Sequence, residues 1–313
     1  MEGKVVHVSV PGSTANLGPG FDTLGMALNL YVQIEMRLAD ELSIELHGDN
    51  MEGIPTDETN LIYQVAQQVF ERAGAEPHPL HIAMKSDIPL ARGLGSSAAA
   101  IVGGMVAANA LIGHPLSKDE LFQMAAALEK HPDNAGASLF GGIVAARWDG
   151  TRADYIRIDP DPRLQLLAAV PDFHLATDDA RKLIPQQIDL QDAVYNISHS
   201  SLLVAALCTG RLDMISAARK DRLHQPHRAA KIPCMQKILQ HACDQGALGA
   251  ALSGAGPTLI AFVDQNSPDK EKLEQFMIRS FHEASVSAST MSLVPDAQGA
   301  RVMEIKTPQL LTS

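Results

Sequence analysis

"PLARGLGSSAAAIVGG", residues 89–104, sets Gly93, Gly95, Ser96 and Ser97 directly ahead of an alanine-rich run. The strand-like "PLHIAMKS" at 79–86 precedes it, and residues 96–112 read as a helix of small side chains. A loop this bare between a strand and a helix brings the free N–H groups and the dipole of the first helical turn up against whatever lies in front of them. That is an anion site, and phosphate suits it. The loop is not a Walker P-loop, because GxxxxGK[ST] occurs nowhere in the chain, and no GxGxxG follows the first strand to mark a dinucleotide fold.

Working outward, "KVVHVSV" at 4–10 alternates as a strand, and "YVQIEMRLADELSIELHG" from Tyr31 reads as two more. Asp57 or Thr59 is placed to cap a helix with the apolar face Leu61, Ile62, Val65, Ala66, Val69 and Phe70. Ser117 with Glu120 forms a capping box for a helix running to Glu129, and "GGIVAARW" is a strand. The polar stretch 149–161, with Gly150 and Pro160, is the best domain boundary, which divides the chain into 1–155 and 156–313. Beyond it come a strand at "LQLLAAVP", helices at 189–209, 211–220 and 232–244, two strands around "SGAGPT", a helix at 268–283, and strands at 286–294 and 300–306. That order predicts an antiparallel sheet with helices on one face, so the class is α+β. Residues 306–313 read as a loosely held end.

Composition narrows the function. A net charge of −11 argues against nucleic acid, which demands a basic face. It leaves room for a small anion bound by local arginines. No apolar run reaches the roughly 18 residues of a membrane span, and Met1–Val10 lacks the basic and apolar regions of a secretory signal, so a cytoplasmic enzyme is expected. Cys208, Cys234 and Cys243 lack CxxC spacing and read as buried thiols. His224 and His227 have no third ligand, which leaves no zinc site.

Two further glycine-bearing segments join the first: "PGSTANLGPGFDTLGMAL" at 11–28, read as a loop carrying Asn16 and Asp22, and "SGAGPT" at 253–258, read as a hairpin turn. The three patterns are P-x-x-x-x-N-L-G-x-G-F-D, P-x-x-x-G-L-G-S-S-A-A and S-G-x-G-P-T. In this order and spacing the chain resembles the GHMP kinases (galacto-, homoserine, mevalonate and phosphomevalonate kinases) over nearly its whole length. Within that superfamily "ANLGPGFDTLGMAL", "HPDN" at 131–134, "TDDARKLIP" at 177–185 and "DRLHQPHR" at 221–228 look like the homoserine kinase branch.

The resemblance implies a two-domain fold, an N-terminal α/β domain with the phosphate loop and a ferredoxin-like C-terminal domain. It implies ATP cradled by Pro89, Leu90, Ala91, Arg92, Gly93, Leu94, Gly95, Ser96, Ser97 and Ala98, with Mg2+ held by Ser97 and Glu129; one carboxylate and one hydroxyl suffice because magnesium keeps its waters and phosphate oxygens. It implies L-homoserine as acceptor, bound by Asn16, Asp22, His131, Asn134, Arg181, Arg228 and Gly254, and a homodimer. Homoserine is a zwitterion with a distal hydroxyl. The guanidinium forks of Arg181 and Arg228 suit its carboxylate, Asp22 its ammonium, and Asn16 an orienting hydrogen bond. Asp133 and Asn134 would meet the hydroxyl, Asp133 either as base or as orienting group, and His131 either faces substrate or caps its loop. Lys130 stands where many relatives have glycine, and "NAGAS" after Asp133 replaces a valine-alanine-proline pattern. Two alternatives stay open: a GHMP kinase for mevalonate, a sugar or a cytidyl-linked alcohol, and a catalytically silent sensor.

Overall fold

The computed structural model describes residues 3–48 and 51–306, so the end expected at 306–313 lies outside the described residues except for Lys306, which closes the last strand. The alternating valines open β1 (Val5–Asn16), which continues past Pro11 and turns through Leu17–Pro19 into β2 (Gly20–Leu38). Residues 11–28, expected as a loop, are thus mostly strand. Antiparallel pairing from Gly12 with Leu28 to Asn16 with Gly20 satisfies their backbone groups. The turn is tight because Asn16, Leu17, Gly18 and Asp22 all adopt positive φ.

β3 (Ser43–His47), α1 (Leu61–Arg72) and β4 (Leu80–Ser86) follow. Asn60, rather than Asp57 or Thr59, caps α1: its Oδ1 accepts from the N–H of Ile62 at 2.9 Å, while Asp57 and Thr59 bond each other. α2 (Ser96–Leu111) is the buried axis of this half, and its apolar character all round fits that place. Gly103 and Gly104 make the fit possible, since a Cβ on either would come within 2.6 Å of Ile34 or Val65. α3 (Lys118–Glu129) carries the expected Ser117–Glu120 capping box. α4 (Asp133–Phe140) was not read from the sequence; its small residues Ala135, Gly136, Ala137 and Ser138 let it bury against β2, where a Cβ on Gly25 would strike the Asp133 carbonyl.

β5 (Ile143–Trp148) and β6 (Ala153–Ile158) form a hairpin that continues the first sheet, whose order is β11-β1-β2-β4-β3, with β5 paired to β2 and to β6. β7 (Leu164–Pro171) starts the second domain. It is followed by α5 (Thr177–Lys182), α6 (Leu190–Thr209), α7 (Ile215–Ala218), α8 (Gln225–Arg228) and α9 (Met235–His241), then β8 (Gly249–Leu252), β9 (Leu259–Asp264), α10 (Lys270–Glu283), β10 (Ala288–Leu293) and β11 (Arg301–Lys306). The second sheet, β10-β7-β9-β8, is antiparallel throughout and has the strand order of a ferredoxin-like fold.

The 155/156 boundary cuts β6, and β11 returns to the first sheet instead of finishing the second domain. It pairs with β1 from Val5 to Ser9, closing an edge whose Val6 and Val8 are buried. Helices foreseen at 211–220 and 232–244 form only as short pieces. The cysteines are free as expected, but none is fully buried: Cys208 is exposed on α6, and Cys234 and Cys243 are partly buried. No helix among the described residues is long and apolar enough to cross a membrane.

Candidate active site

The three glycine-bearing segments, far apart in sequence, are knitted together in space. Ser13 N–H donates to Leu94 O at 3.0 Å, Gly254 N–H to Ala15 O at 3.1 Å, and Thr258 N–H to Arg92 O at 3.3 Å. Ser253 Oγ bridges Gly93 O and Thr14 Oγ1. Gly93 and Gly95, both at positive φ, permit this approach: a Cβ on Gly93 would lie 2.3 Å from Ser253 O, and one on Gly95 2.2 Å from Ser13 Oγ. Gly95 is the N-cap of α2, and the first bond of that helix runs from Ala99 N–H to Gly95 O. The N–H groups of Ser96, Ser97 and Ala98 precede it and border a cavity of about 550 Å3.

Asn16, Asp22, Arg181, Arg228 and Gly254 also line that cavity. Asp22 and Arg181 do not stand apart awaiting opposite ends of a ligand. They form a two-pronged ion pair, Nη1 to Oδ2 at 2.8 Å and Nη2 to Oδ1 at 2.9 Å. Asn16 is committed to the protein as well, accepting from Asp22 N–H at 3.0 Å and donating to Gly254 O at 2.8 Å. Arg228 is 2 % exposed; its Nε donates to Ala180 O and its Nη1 to Gly254 O, while Nη2 has no acceptor among the described residues. Burial, and then the nearby Arg181 charge, lower its pKa to about 10 against the pull of Asp22, so it is cationic at neutral pH.

The turn from α3 into α4 supplies Glu129, His131, Asp133 and Asn134 to the same cavity. Lys130 takes the left-handed conformation that glycine would favour, with φ 61°. Glu129 Oε2 is buried without a hydrogen bond; burial, eased by His131 and reinforced by Asp133, raises its carboxyl to about 7. Burial opposes charge on His131, but the Asp133 carboxylate 3.1 Å from its Nδ1 outweighs it, with help from Glu129 and Asp22, and its pKa rises to about 9. Asp133 Oδ1 also accepts from Asn134 N–H at 2.8 Å, so Oδ2 is the oxygen left for the cavity. The Asn134 side chain accepts from Ser13 Oγ at 3.0 Å.

Of the ten residues foreseen as the nucleotide loop, Ala91, Gly93, Gly95, Ser96, Ser97 and Ala98 line the cavity. Pro89, Leu90 and Arg92 instead border a separate cavity of about 750 Å3 beside β7 and β10, where Arg92 pairs with Asp172 at 3.2 Å. Leu94 is wholly buried, because β1 binds its carbonyl and turns its side chain into the core. Leu61, Ile101 and Leu128 give the main cavity an apolar flank that sequence reasoning missed. Leu61 was assigned to the packed face of α1 but is 37 % exposed, and no sequence signal separates such a position from core.

Family comparisons agree with this geometry. The N-terminal domain of the GHMP kinases matches residues 60–142 and their C-terminal domain residues 203–282. Homoserine kinase of Moorella thermoacetica is 43% identical over 296 residues, covering 95% of this chain and 99% of its own. That of Carboxydothermus hydrogenoformans is 41% identical over 297 residues, covering 95% and 96%. The crystal structure of homoserine kinase from Cytophaga hutchinsonii superposes with a TM-score of 0.85 at 28% identity, over 96% of this chain and 97% of that one. Three glycine-bearing segments closing on one cavity, a ferredoxin-like second domain and full-length relatives at this identity place the chain in the homoserine kinase family of the GHMP kinases.

Proposed function

We propose that the protein transfers the γ-phosphoryl group of ATP to the side-chain hydroxyl of L-homoserine. The observation that carries this reading is that the phosphate loop and the Asp22, Arg181 and Arg228 cluster border a single cavity. A triphosphate laid along the N–H groups of Ser96, Ser97 and Ala98 is met by the α2 dipole, and a purine fits the flank of Leu61, Ile101 and Leu128. The acceptor's carboxylate goes to Arg228, through Nη2, and to Arg181; its ammonium goes to Asp22. For this the substrate inserts itself into the ion pair, exchanging one set of opposite charges for another.

The acceptor oxygen then bonds to the γ phosphorus as the bond to the bridging β oxygen breaks, ADP leaves, and the hydroxyl proton departs toward Asp133 Oδ2. Phosphoryl transfer needs placement and charge neutralisation more than covalent help. The donor set suits magnesium. Glu129 offers a buried oxygen without a partner and Ser97 offers a hydroxyl on the same cavity, the hard oxygen donors that magnesium takes. Bound there, the ion would neutralise phosphate charge.

A coupled assay of ADP release with homoserine, mevalonate and galactose tests the reading. Turnover with homoserine alone is expected; turnover with mevalonate or galactose instead, or binding of both ligands without ADP, would refute it. The homodimer implied by the resemblance belongs to the same proposal, and sedimentation equilibrium checks it.

A further inference from the structure

Arg228 reaches the cavity from the second domain, whereas Asn16 and Asp22 reach it from the β1–β2 turn of the first. His224 lies between them. It is wholly buried, does not line the cavity, and sits one helical turn before Arg228. Its two ring nitrogens face partners of fixed sense. Nε2 is 2.7 Å from the Gly18 carbonyl, which only accepts, so Nε2 carries the proton. Nδ1 is 3.1 Å from Arg228 Nη1, which only donates, so Nδ1 presents its lone pair. The ring is therefore the neutral Nε2–H tautomer, since a second proton would aim an N–H at a guanidinium.

The surroundings hold this ring in place. Asp221 accepts from the N–H groups of Leu223 and His224 at 3.0 Å and of Gln225 at 2.6 Å, which fixes the backbone from which His224 projects. Asn196 Nδ2 donates to Asp221 at 2.9 Å and reaches Pro19 O at 3.3 Å. Phe21 stacks on the His224 ring at 5.2 Å, and the Arg228 guanidinium lies 5.5 Å from the Phe21 centroid. A Cβ on Gly18 would fall 2.3 Å from Arg219 O, so the turn and this segment are already in contact.

We propose that His224 is a positioning residue: by bonding Gly18 O and Arg228 together it fixes the spacing between the turn that carries Asp22 and the Arg228 fork, and so the spacing of ammonium and carboxylate that the site accepts. The inference rests on the reading that Arg228 meets the substrate carboxylate. It predicts that His224→Ala raises the homoserine KM by about 10- to 100-fold, the worth of a hydrogen bond to a charged group, with kcat and ATP KM within about threefold of wild type. His224→Asn puts an amide oxygen near the Nδ1 position, so it should recover part of the loss through Arg228, while the severed link to Gly18 keeps homoserine KM above wild type. His224→Gln reaches Gly18 but not Arg228 and should recover less.

Steady-state kinetics of the three variants, after circular dichroism has checked folding, give the answer; if the alanine variant does not fold, the Asn and Gln pair carries it. Unchanged homoserine KM in the folded variants, or an equal rise in ATP KM, overturns the proposal. Arg228→Ala separates the two layers. If it leaves homoserine KM unchanged, the reading of the carboxylate site fails; if it raises KM while the His224 variants do not, only the positioning role fails. In the double variant the losses should overlap, leaving homoserine KM within about threefold of Arg228→Ala alone, and a full product of the two losses counts against the link.

Discussion

Replacing Arg181 by alanine tests the cavity's division of labour most directly. In the free enzyme Arg181 grips Asp22 through two bonds of 2.8 and 2.9 Å, but the side chains are 42% and 32% exposed. Solvent screening at that exposure limits the pair's contribution to stability to about 1 kcal/mol or less, so the variant should melt close to wild type. In the substrate complex proposed above the same fork would meet a desolvated carboxylate, and truncating one partner of such a pair costs about 2 to 5 kcal/mol. The lower end applies here, because wild-type substrate must first displace Asp22, a cost that the variant is spared. Homoserine kcat/KM should therefore fall by about 30-fold, at 1.4 kcal/mol per factor of ten, while ATP KM barely moves.

The control is aminopropanol, which is homoserine without its carboxylate. As acceptor it should show no penalty from Arg181→Ala, because the group that Arg181 recognises is gone. The measurement is a coupled assay with each acceptor varied at saturating ATP, paired with a thermal melt. An equal loss with both acceptors, or a parallel rise in ATP KM, would refute the placement of Arg181 at the amino-acid end.

Three further outcomes follow from the same geometry. Asp133→Asn should lower kcat by at least about 10²-fold if Oδ2 takes the hydroxyl proton, and single-turnover rates check this; a loss of only a few-fold leaves Asp133 as an orienting group. Gly95→Ala, with φ +72° and its Cβ placed 2.2 Å from Ser13 Oγ and 2.8 Å from Ser13 N, should raise ATP KM and lower Tm together, the strain and overpacking amounting to about 2 to 5 kcal/mol; an ATP titration and a melt read both. Burial pushes the Cys234 thiol to about 12, so at pH 8 it is protonated. Its thiolate fraction there is about 10⁻⁴, and iodoacetamide should label exposed Cys208 first and spare Cys234, as peptide mass mapping would reveal.

Much of this was legible in the chain because it is written in local chemistry. The glycine loop, the α3 capping box and the run "LQLLAAVP" each specify their structure from neighbouring residues, and all appear as read. Misreadings arose where a distant partner decides. β11 reads as a strand, but only the open edge of β1 makes it part of the first sheet. Residues 11–28 look like a loop until β1 and β2 are seen to pair across Gly12 to Asn16. Arg92 and Leu94 look like their neighbours in the phosphate loop, yet alternation of side chains around a packed turn sends them to another cavity and into the core.

The sequence by itself determined the residue kinds: bare backbone suited to an anion, guanidinium and carboxylate suited to a zwitterion, and the order of segments that carry them. Only the tertiary structure decided how those groups are spent. It paired Asp22 with Arg181, committed Asn16 to Gly254, and set His224 between Gly18 and Arg228. Charge and hydrogen-bonding capacity belong to a side chain wherever it lies, whereas a partner is chosen by distance and direction, which exist only once the two domains have closed around their common cavity.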